Sequence, residues 1–195
     1  MDFRYPIFLS LAGKRCLVIG EGPEIAAKVQ ALRDAGAAVE WRAGDFDLDD
    51  FSDCFLMIAN LPDNSKVFRF CEEHKILCNS VDDPEHCRFI FGSVHRDGDL
   101  TVAVSTNGVA PALAVRLRER FQSEIGPEYG EFVTLLKEVR GEIAARIPDF
   151  NLRRELWYRI LDSNALELVR SGQSEAARTA IQRLINNTSG SDTSA

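Results

Sequence analysis

The residues best placed to do chemistry lie in one stretch, Cys78 to Pro111. Asp82 and Asp83 stand side by side behind a short apolar run, Lys75 to Cys78, and just ahead of Pro84. A carboxylate held next to a ligand can take a proton from it or fix its orientation. Further on come an apolar run (Phe89-Ile90-Phe91), a hairpin signal (Arg96-Asp97-Gly98-Asp99) and an alternating strand from Leu100 to Val104. The stretch closes on Ser105-Thr106-Asn107-Gly108, whose backbone N–H groups suit a carboxylate at a helix start. Acidic groups after one strand and hydroxyl and amide groups after another are how an open α/β sheet builds a site beyond its strand ends. Each feature also has a plain alternative: Asp82 as a turn residue, Thr106-Asn107-Gly108 as a helix cap.

A second chemistry-bearing pattern comes earlier. Arg15 to Ile19 is an unbroken apolar strand, and Gly20-Glu21-Gly22 follows at once, with Pro23 as an early helical residue. A glycine-rich first turn of a βαβ unit sets a helix N-terminus and free N–H groups against a pyrophosphate. Here the third small position of G-x-G-x-x-G is Ile25, and the acidic candidates about 20 residues on are Glu40 and Asp45. The motif alone divides evenly between dinucleotide binding and a structural turn. His74, His86 and His95 show no metal-ligand spacing, although His86 lies nearest Asp82. Five cysteines form neither a CxxC pair nor a zinc pattern. Those in apolar runs (Cys16, Cys54, Cys78) read as buried, reduced thiols, and no resident metal is expected.

The elements that must position these groups follow from periodicity. The spacing predicts a strand at Arg15 to Ile19, a helix from Glu24 to Ala35 ended by Gly36, and a second strand from Ala37 to Trp41. Gly44 to Asp53, with five aspartates, reads as a solvated connection with one helical turn. Cys54 to Ala59 is a third buried strand. Asn60 to Asn64 turns into and caps a helix from Ser65 to His74, and Ile76 to Cys78 is the strand that delivers Asp82. After the hairpin the chain becomes helical: Ala112 to Ile125, Tyr129 to Arg146, Asn151 to Asp162, Ser163 to Ser171 and Gln173 to Ile185. A polar tail from Asn186 reads as disordered. The expected architecture is an α/β, Rossmann-like parallel sheet domain over residues 1–112, with a hairpin and dimerisation segment at about 88–112. A helical dimerisation domain over 113–186 and a tail over 187–195 complete it.

Composition bounds the partners. A net charge of −7 on 195 residues argues against nucleic acid, which needs a basic face. No apolar run approaches the ~20 residues of a membrane span, and the first residues lack a signal-peptide pattern. A cytoplasmic protein is expected.

With these residues on the page, the chain resembles the precorrin-2 dehydrogenase / sirohydrochlorin ferrochelatase family, including the N-terminal module of siroheme synthases. The likeness rests on P-I-F-L-x-L-x-G-x-x-C-L-V-I-G (Pro6 to Gly20), L-x-x-A-G-A (Leu32 to Ala37), N-x-V-D-D-P-E-x-C-x-F-I-F (Asn79 to Phe91) and L-T-V-A-V-S-T-x-G-x-x-P-A-L-A (Leu100 to Ala114). It also takes in R-R-E-L-W (Arg153 to Trp157). The resemblance implies NAD-dependent oxidation of precorrin-2 to sirohydrochlorin, with ferrous iron insertion in some members, and a homodimer. It places the shared catalytic carboxylate on Asp82, a modifiable hydroxyl on Thr106, and cofactor contacts on Gly20, Gly22, Pro23, Glu24, Gly44 and Asp45. A substrate with eight carboxylates calls for a basic rim, for which Arg88, His95, Arg96 and Arg116 are candidates beside Thr106, Asn107 and Gly108. Two features depart from the family pattern: Ile25 in the glycine turn, and a shorter segment between the second and third strands. The rival reading, from another class, is a non-enzymatic or chelatase-only tetrapyrrole-binding protein with a degenerate NAD site.

Overall fold

The computed structural model describes residues 4–44 and 46–189. It divides into two compact units, residues 1–91 and 92–195.

The first unit is built from β1 (Arg15–Ile19), α1 (Pro23–Asp34), β2 (Ala38–Arg42), β3 (Leu56–Ala59), α2 (Ser65–His74) and β4 (Leu77–Ser80), with 3-10 turns at Leu48–Phe51 and Pro84–His86. All four strands are parallel, in the order β2-β1-β3-β4. The two central strands are buried on both faces, which is why they read as unbroken apolar runs rather than as alternation. On one face Ile25, Val29 and Leu32 of α1 meet Cys16, Val18, Leu56 and Ile58. On the other, Val67, Phe70 and Cys71 of α2, with Leu48 and Phe51, meet Leu17, Ile19, Met57 and Cys78. The Leu48–Phe51 turn does the work of a full crossover helix. The connection expected to be solvated therefore buries Leu48 and Phe51.

From β1 the chain runs outward through α1 to β2, then returns past β1 to β3. The sheet order reverses between β1 and β3, and the carboxyl ends of those strands open a crevice suited to a ligand. β4 extends two residues beyond the expected Cys78, carrying Asn79 and Ser80 in the ladder and bringing Asp82 to its very end. The helix α2 spans the expected residues, and the turn before it supplies the acceptor at its start. Asp63 Oδ1 accepts from Ser65 N at 2.9 Å, whereas Asn64 turns back to accept from Leu61 N at 3.0 Å.

The second unit opens with the antiparallel hairpin β5 (Ser93–Asp97) and β6 (Leu100–Val104), followed by α3 (Pro111–Glu124), α4 (Pro127–Arg146), α5 (Phe150–Leu161), α6 (Ala165–Arg170) and α7 (Ser174–Ser189). Its core joins Phe132, Leu135, Val139 and Ile143 of α4 to Leu156 and Ile160 of α5 and to Ala177, Ile181 and Ile185 of α7. The hairpin packs on α3 and α4, so the division between the units falls in front of the hairpin instead of near residue 112. The tail expected to be disordered from Asn186 begins as the last turn of α7, where Thr188 is buried and donates to Leu184 O at 2.9 Å. The remainder of that expected tail, residues 190–195, lies outside the described residues.

Candidate functional site

The glycine turn after β1 is shaped by two close approaches. Gly20 has φ +117°, and a Cβ there would lie 2.6 Å from Asn60 O. Only glycine lets β1 and the loop after β3 close up at this point, where Asn60 N also donates to Ile19 O at 2.9 Å. Gly22, with φ +104° and ψ 169°, is the N-cap of α1 and uses no side chain to cap it. Pro23 takes the first helical position, and a Cβ at Gly22 would meet nothing within 4 Å. The first-turn N–H groups thus have no side-chain acceptor, the arrangement that binds a phosphate. Glu24 would oppose an anion here, but Lys28 pairs with it at 3.1 Å. Ile25 is fully buried against the sheet. A bulky residue in place of the family's small one is thus absorbed by the core.

The end of β2 closes the other side. Trp41 Nε1 donates to Gly20 O at 2.8 Å, setting an indole beside the turn. Of the two acidic candidates, Glu40 is already engaged, by Arg15 at 2.7 Å and by Arg42 at 2.9 Å. Gly44 is exposed with open space around it; Asp45 lies outside the described residues.

The acidic loop leaves β4 with Val81 N donating to Ala59 O at 2.9 Å, one step beyond the ladder. Its base is tied from within. Asn79 Nδ2 donates to Phe89 O at 2.9 Å, and the buried Cys87 thiol accepts from Ser80 N at 3.2 Å and donates to Ser80 O at 3.1 Å. Burial raises the Cys87 thiol above its ordinary value, against the lowering effect of the hydrogen bond from Ser80 N. On this frame Asp82 is exposed and takes φ +55°, a left-handed conformation for a non-glycine residue. Such a position costs on the order of 1 kcal/mol and marks places where the side chain's aim matters more than local comfort. Asp83 makes no capping hydrogen bond; its Oδ2 lies 2.7 Å from His86 Nδ1, and the imidazole meets Phe68 edge-on at 5.2 Å. Arg88 is drawn away from a ligand role by Glu72, with Nε 2.6 Å from Oε1, and it stacks 4.8 Å over Phe68. Its guanidinium holds the Glu72 carboxyl below its usual range.

The other candidates belong to the second unit. His95 faces Val102 across the hairpin, and its Nε2 is buried without a protein partner among the described residues. Arg96 Nε donates to Gly98 O at 3.2 Å and ties the hairpin turn. Thr106 Oγ1 accepts from Ala110 N at 3.2 Å, while Asn107 has φ +56° and donates its N–H to Ser105 Oγ at 3.0 Å. Gly108 and, on α3, Arg116 are exposed. The helix begins at Pro111, so Thr106-Asn107-Gly108 forms a turn ahead of α3 rather than its first turn. Ala110 precedes a proline, which disfavours helical backbone there and leaves Ala110 as the N-cap, outside the helix.

Asp82, Gly20, Gly22, Pro23, Glu24 and Gly44 are thus grouped on the carboxyl-end loops of one sheet, while His95, Arg96, Thr106, Asn107, Gly108 and Arg116 sit in the other unit. Among the described residues no group of three or more His, Cys, Asp or Glu is disposed to hold a metal ion, and no helix is long and apolar enough to cross a membrane.

Comparison with known proteins fits this arrangement module by module. Residues 7–49 and 38–93 match an NAD(P)-binding family, residues 97–124 the "Sirohaem biosynthesis protein central" family, and residues 128–185 the "Sirohaem synthase dimerisation region". The siroheme synthase of Thioalkalivibrio sulfidiphilus is 37% identical over 208 residues, a match that covers 95% of this chain and 42% of the relative. That of Nitrosococcus oceani is 32% identical, over 91% of this chain and 43% of the relative. The chain therefore spans about two-fifths of the length of these curated relatives. Among solved structures, "SirC, precorrin-2 dehydrogenase" superposes with a TM-score of 0.69 at 20% identity, covering 92% of this chain and all of that one, which shows a shared fold. Three consecutive modules in the same order, and relatives matching along nearly its whole length, make the chain similar to a part of the siroheme synthases.

Proposed function

We propose that this chain oxidises precorrin-2 to sirohydrochlorin with NAD, as a cytoplasmic homodimer joined through its helical unit. The observation that carries the reading is Asp82: an exposed carboxylate, held in left-handed backbone, on the same sheet edge as an uncapped glycine turn. The match of residues 7–93 to an NAD(P)-binding family supports the cofactor, and the match of residues 128–185 to a dimerisation region supports the dimer.

The oxidation removes a hydride and a proton from the macrocycle. NAD supplies the hydride acceptor. The chain's own residues bind and orient. Gly20, Gly22 and the first turn of α1 would hold the pyrophosphate of NAD, Trp41 walls the turn, and Gly44 and Asp45 are the further cofactor contacts that the resemblance implies. Asp82 accepts the proton. His95, Arg96, Thr106, Asn107, Gly108 and Arg116 hold substrate carboxylates. Ferrous iron, as a second substrate, would displace two pyrrole protons from sirohydrochlorin, and the same carboxylate can take them.

The test is the absorbance of purified protein with precorrin-2, with and without NAD, for wild type and Asp82→Asn. NAD-dependent formation of sirohydrochlorin that the variant lacks is the expected result. Oxidation that is indifferent to Asp82 would remove the assigned base. The rival reading is chelatase without oxidation. Iron insertion into supplied sirohydrochlorin, by a protein that never oxidises precorrin-2, would establish it.

A further inference from the structure

We infer that His86, oriented by Asp83, is a second proton-carrying group beside Asp82. This deepens the proposed oxidation and rests on it. The relevant contact is His86 Nδ1 to Asp83 Oδ2 at 2.7 Å. A carboxylate can only accept, so Nδ1 carries the hydrogen and Nε2 keeps its lone pair. The ring's plane is fixed from the side by Phe68, edge-on at 5.2 Å and 63°. The turn beneath is held by His86 N donating to Asp83 O at 3.1 Å and by the Cys87 thiol 3.3 Å from the same oxygen. Both side chains are about 30% exposed (30% for His86, 29% for Asp83), so a ligand can reach the imidazole although it is held rigidly. Asp82 stands four residues earlier in the same loop.

A carboxylate that orients an imidazole and leaves its other nitrogen basic is the arrangement that makes histidine a proton acceptor. In the oxidation the substrate C–H bond breaks with its electron pair, and bound NAD would supply the acceptor for that hydride. The proton that leaves the macrocycle goes to the Asp82 carboxylate and from there to His86 Nε2. The imidazolium so formed is stabilised by Asp83 and gives its proton to solvent, restoring both groups. Asp83 touches no substrate and is a positioning residue. The other charged and titratable groups around the imidazole are Asp63, at the start of α2, and Cys78, on β4, both coupled to it electrostatically. Arg88, paired with Glu72, lies 4.8 Å over the same Phe68 ring that the imidazole meets edge-on.

The experiment is steady-state oxidation of precorrin-2 by the full chain with NAD, from pH 5.5 to 9, for wild type, His86→Gln, Asp83→Asn and Asp82→Asn. His86→Gln should lower kcat about 100-fold, in line with a lost proton-transfer group, with KM changed less than about twofold by the same logic of a role in the chemical step. It should also erase the acidic limb of the kcat profile. Asp83→Asn leaves the ring in place, and should lower kcat less while moving that limb. A merely structural contact would lower the melting temperature of both variants and leave the profile's shape alone. If His86→Gln keeps the wild-type kcat and profile while Asp82→Asn is inactive, the inference falls and the proposed function stands. If wild type itself never oxidises precorrin-2, both fall. Should His86→Gln not fold, an unmoved limb in Asp83→Asn is sufficient to overturn the proposal.

Discussion

Replacing Gly20 with alanine should damage the first unit more than the same change at Gly22, and the difference is set by one distance. At both positions φ is positive, +117° and +104°, so an L side chain pays a backbone cost of roughly 1–3 kcal/mol. At Gly22 nothing lies within 4 Å of the new Cβ, and that cost is the whole effect. At Gly20 the Cβ would lie 2.6 Å from Asn60 O and 3.1 Å from Asn60 Cβ. Backbone must move there, and it is the backbone that joins the ends of β1 and β3. Forcing an atom into a filled site adds about 1–3 kcal/mol, so Gly20→Ala should lose about 2–6 kcal/mol in all. Gly44→Ala, with φ +91° and open space, is a second control that should behave like Gly22→Ala. The chain's two tryptophans separate the units, Trp41 in the first and Trp157 in the second. Urea unfolding followed by fluorescence in a Trp157→Phe background therefore reports the first unit alone. If the Gly20→Ala transition lies within about 0.5 kcal/mol of that of Gly22→Ala, the expected scatter of independent surface effects, the close approach of the two loops is wrong.

Asp82→Gly should abolish oxidation yet leave the first unit as stable as wild type or more so by up to about 1 kcal/mol, because glycine occupies φ +55° without strain; a marked loss of stability would show that Asp82 is structural. Leu156→Ala, at a fully buried position in the core of the second unit, should cost about 2–5 kcal/mol, seen in the Trp157 signal and not in that of Trp41. Burial pushes the Cys54 thiol up to about 11 from 9.0. The unfolded thiol ionises first as pH rises, so this stability is complete below pH 9 and is lost between there and about pH 11, at about 1.4 kcal/mol per pH unit. Urea midpoints from pH 8 to 10.5 should fall, less steeply in Cys54→Ala, since Cys16 and Cys87 are also raised by burial and keep part of the slope; a flat wild-type midpoint would contradict this.

Much of the frame was legible because the local signals agree. Cys16–Ile19 and Leu56–Ala59 are apolar at every position because both faces of the sheet are covered, and α2 matches its expected span because its apolar side chains recur on one face. Boundaries slipped where tertiary contacts decide. β4 gains Asn79 and Ser80 although neither is apolar, because the parallel ladder with β3 continues through Ser80 and Asn79 finds Phe89 O. α3 begins at Pro111, one residue before the expected Ala112, because proline suits the first helical position. The tail at Asn186 reads as polar, yet Thr188 lies under α5, where Arg159 donates to its hydroxyl at 3.1 Å.

The site was legible only in part, and for a different reason. Glycines and a paired Asp-Asp advertise themselves in a sequence, whereas the groups that fix their geometry are of ordinary type and lie far off in the chain. Trp41 reads as a strand residue until its indole is seen on Gly20 O. Cys87 stands in no apolar run and has no role that the sequence assigns, yet it is the group that ties the acidic loop to the end of β4. Arg88 looks like a substrate contact by charge, but Glu72, 16 residues earlier on α2, takes its guanidinium. Spacing can suggest such a pair only once the helix and the loop are known to meet. The Asp83–His86 contact is the exception, since i,i+3 places the two on one short turn. The sequence reading names His86 only as the histidine nearest Asp82, and it is the 2.7 Å contact with Asp83 that turns a loop residue into an oriented base.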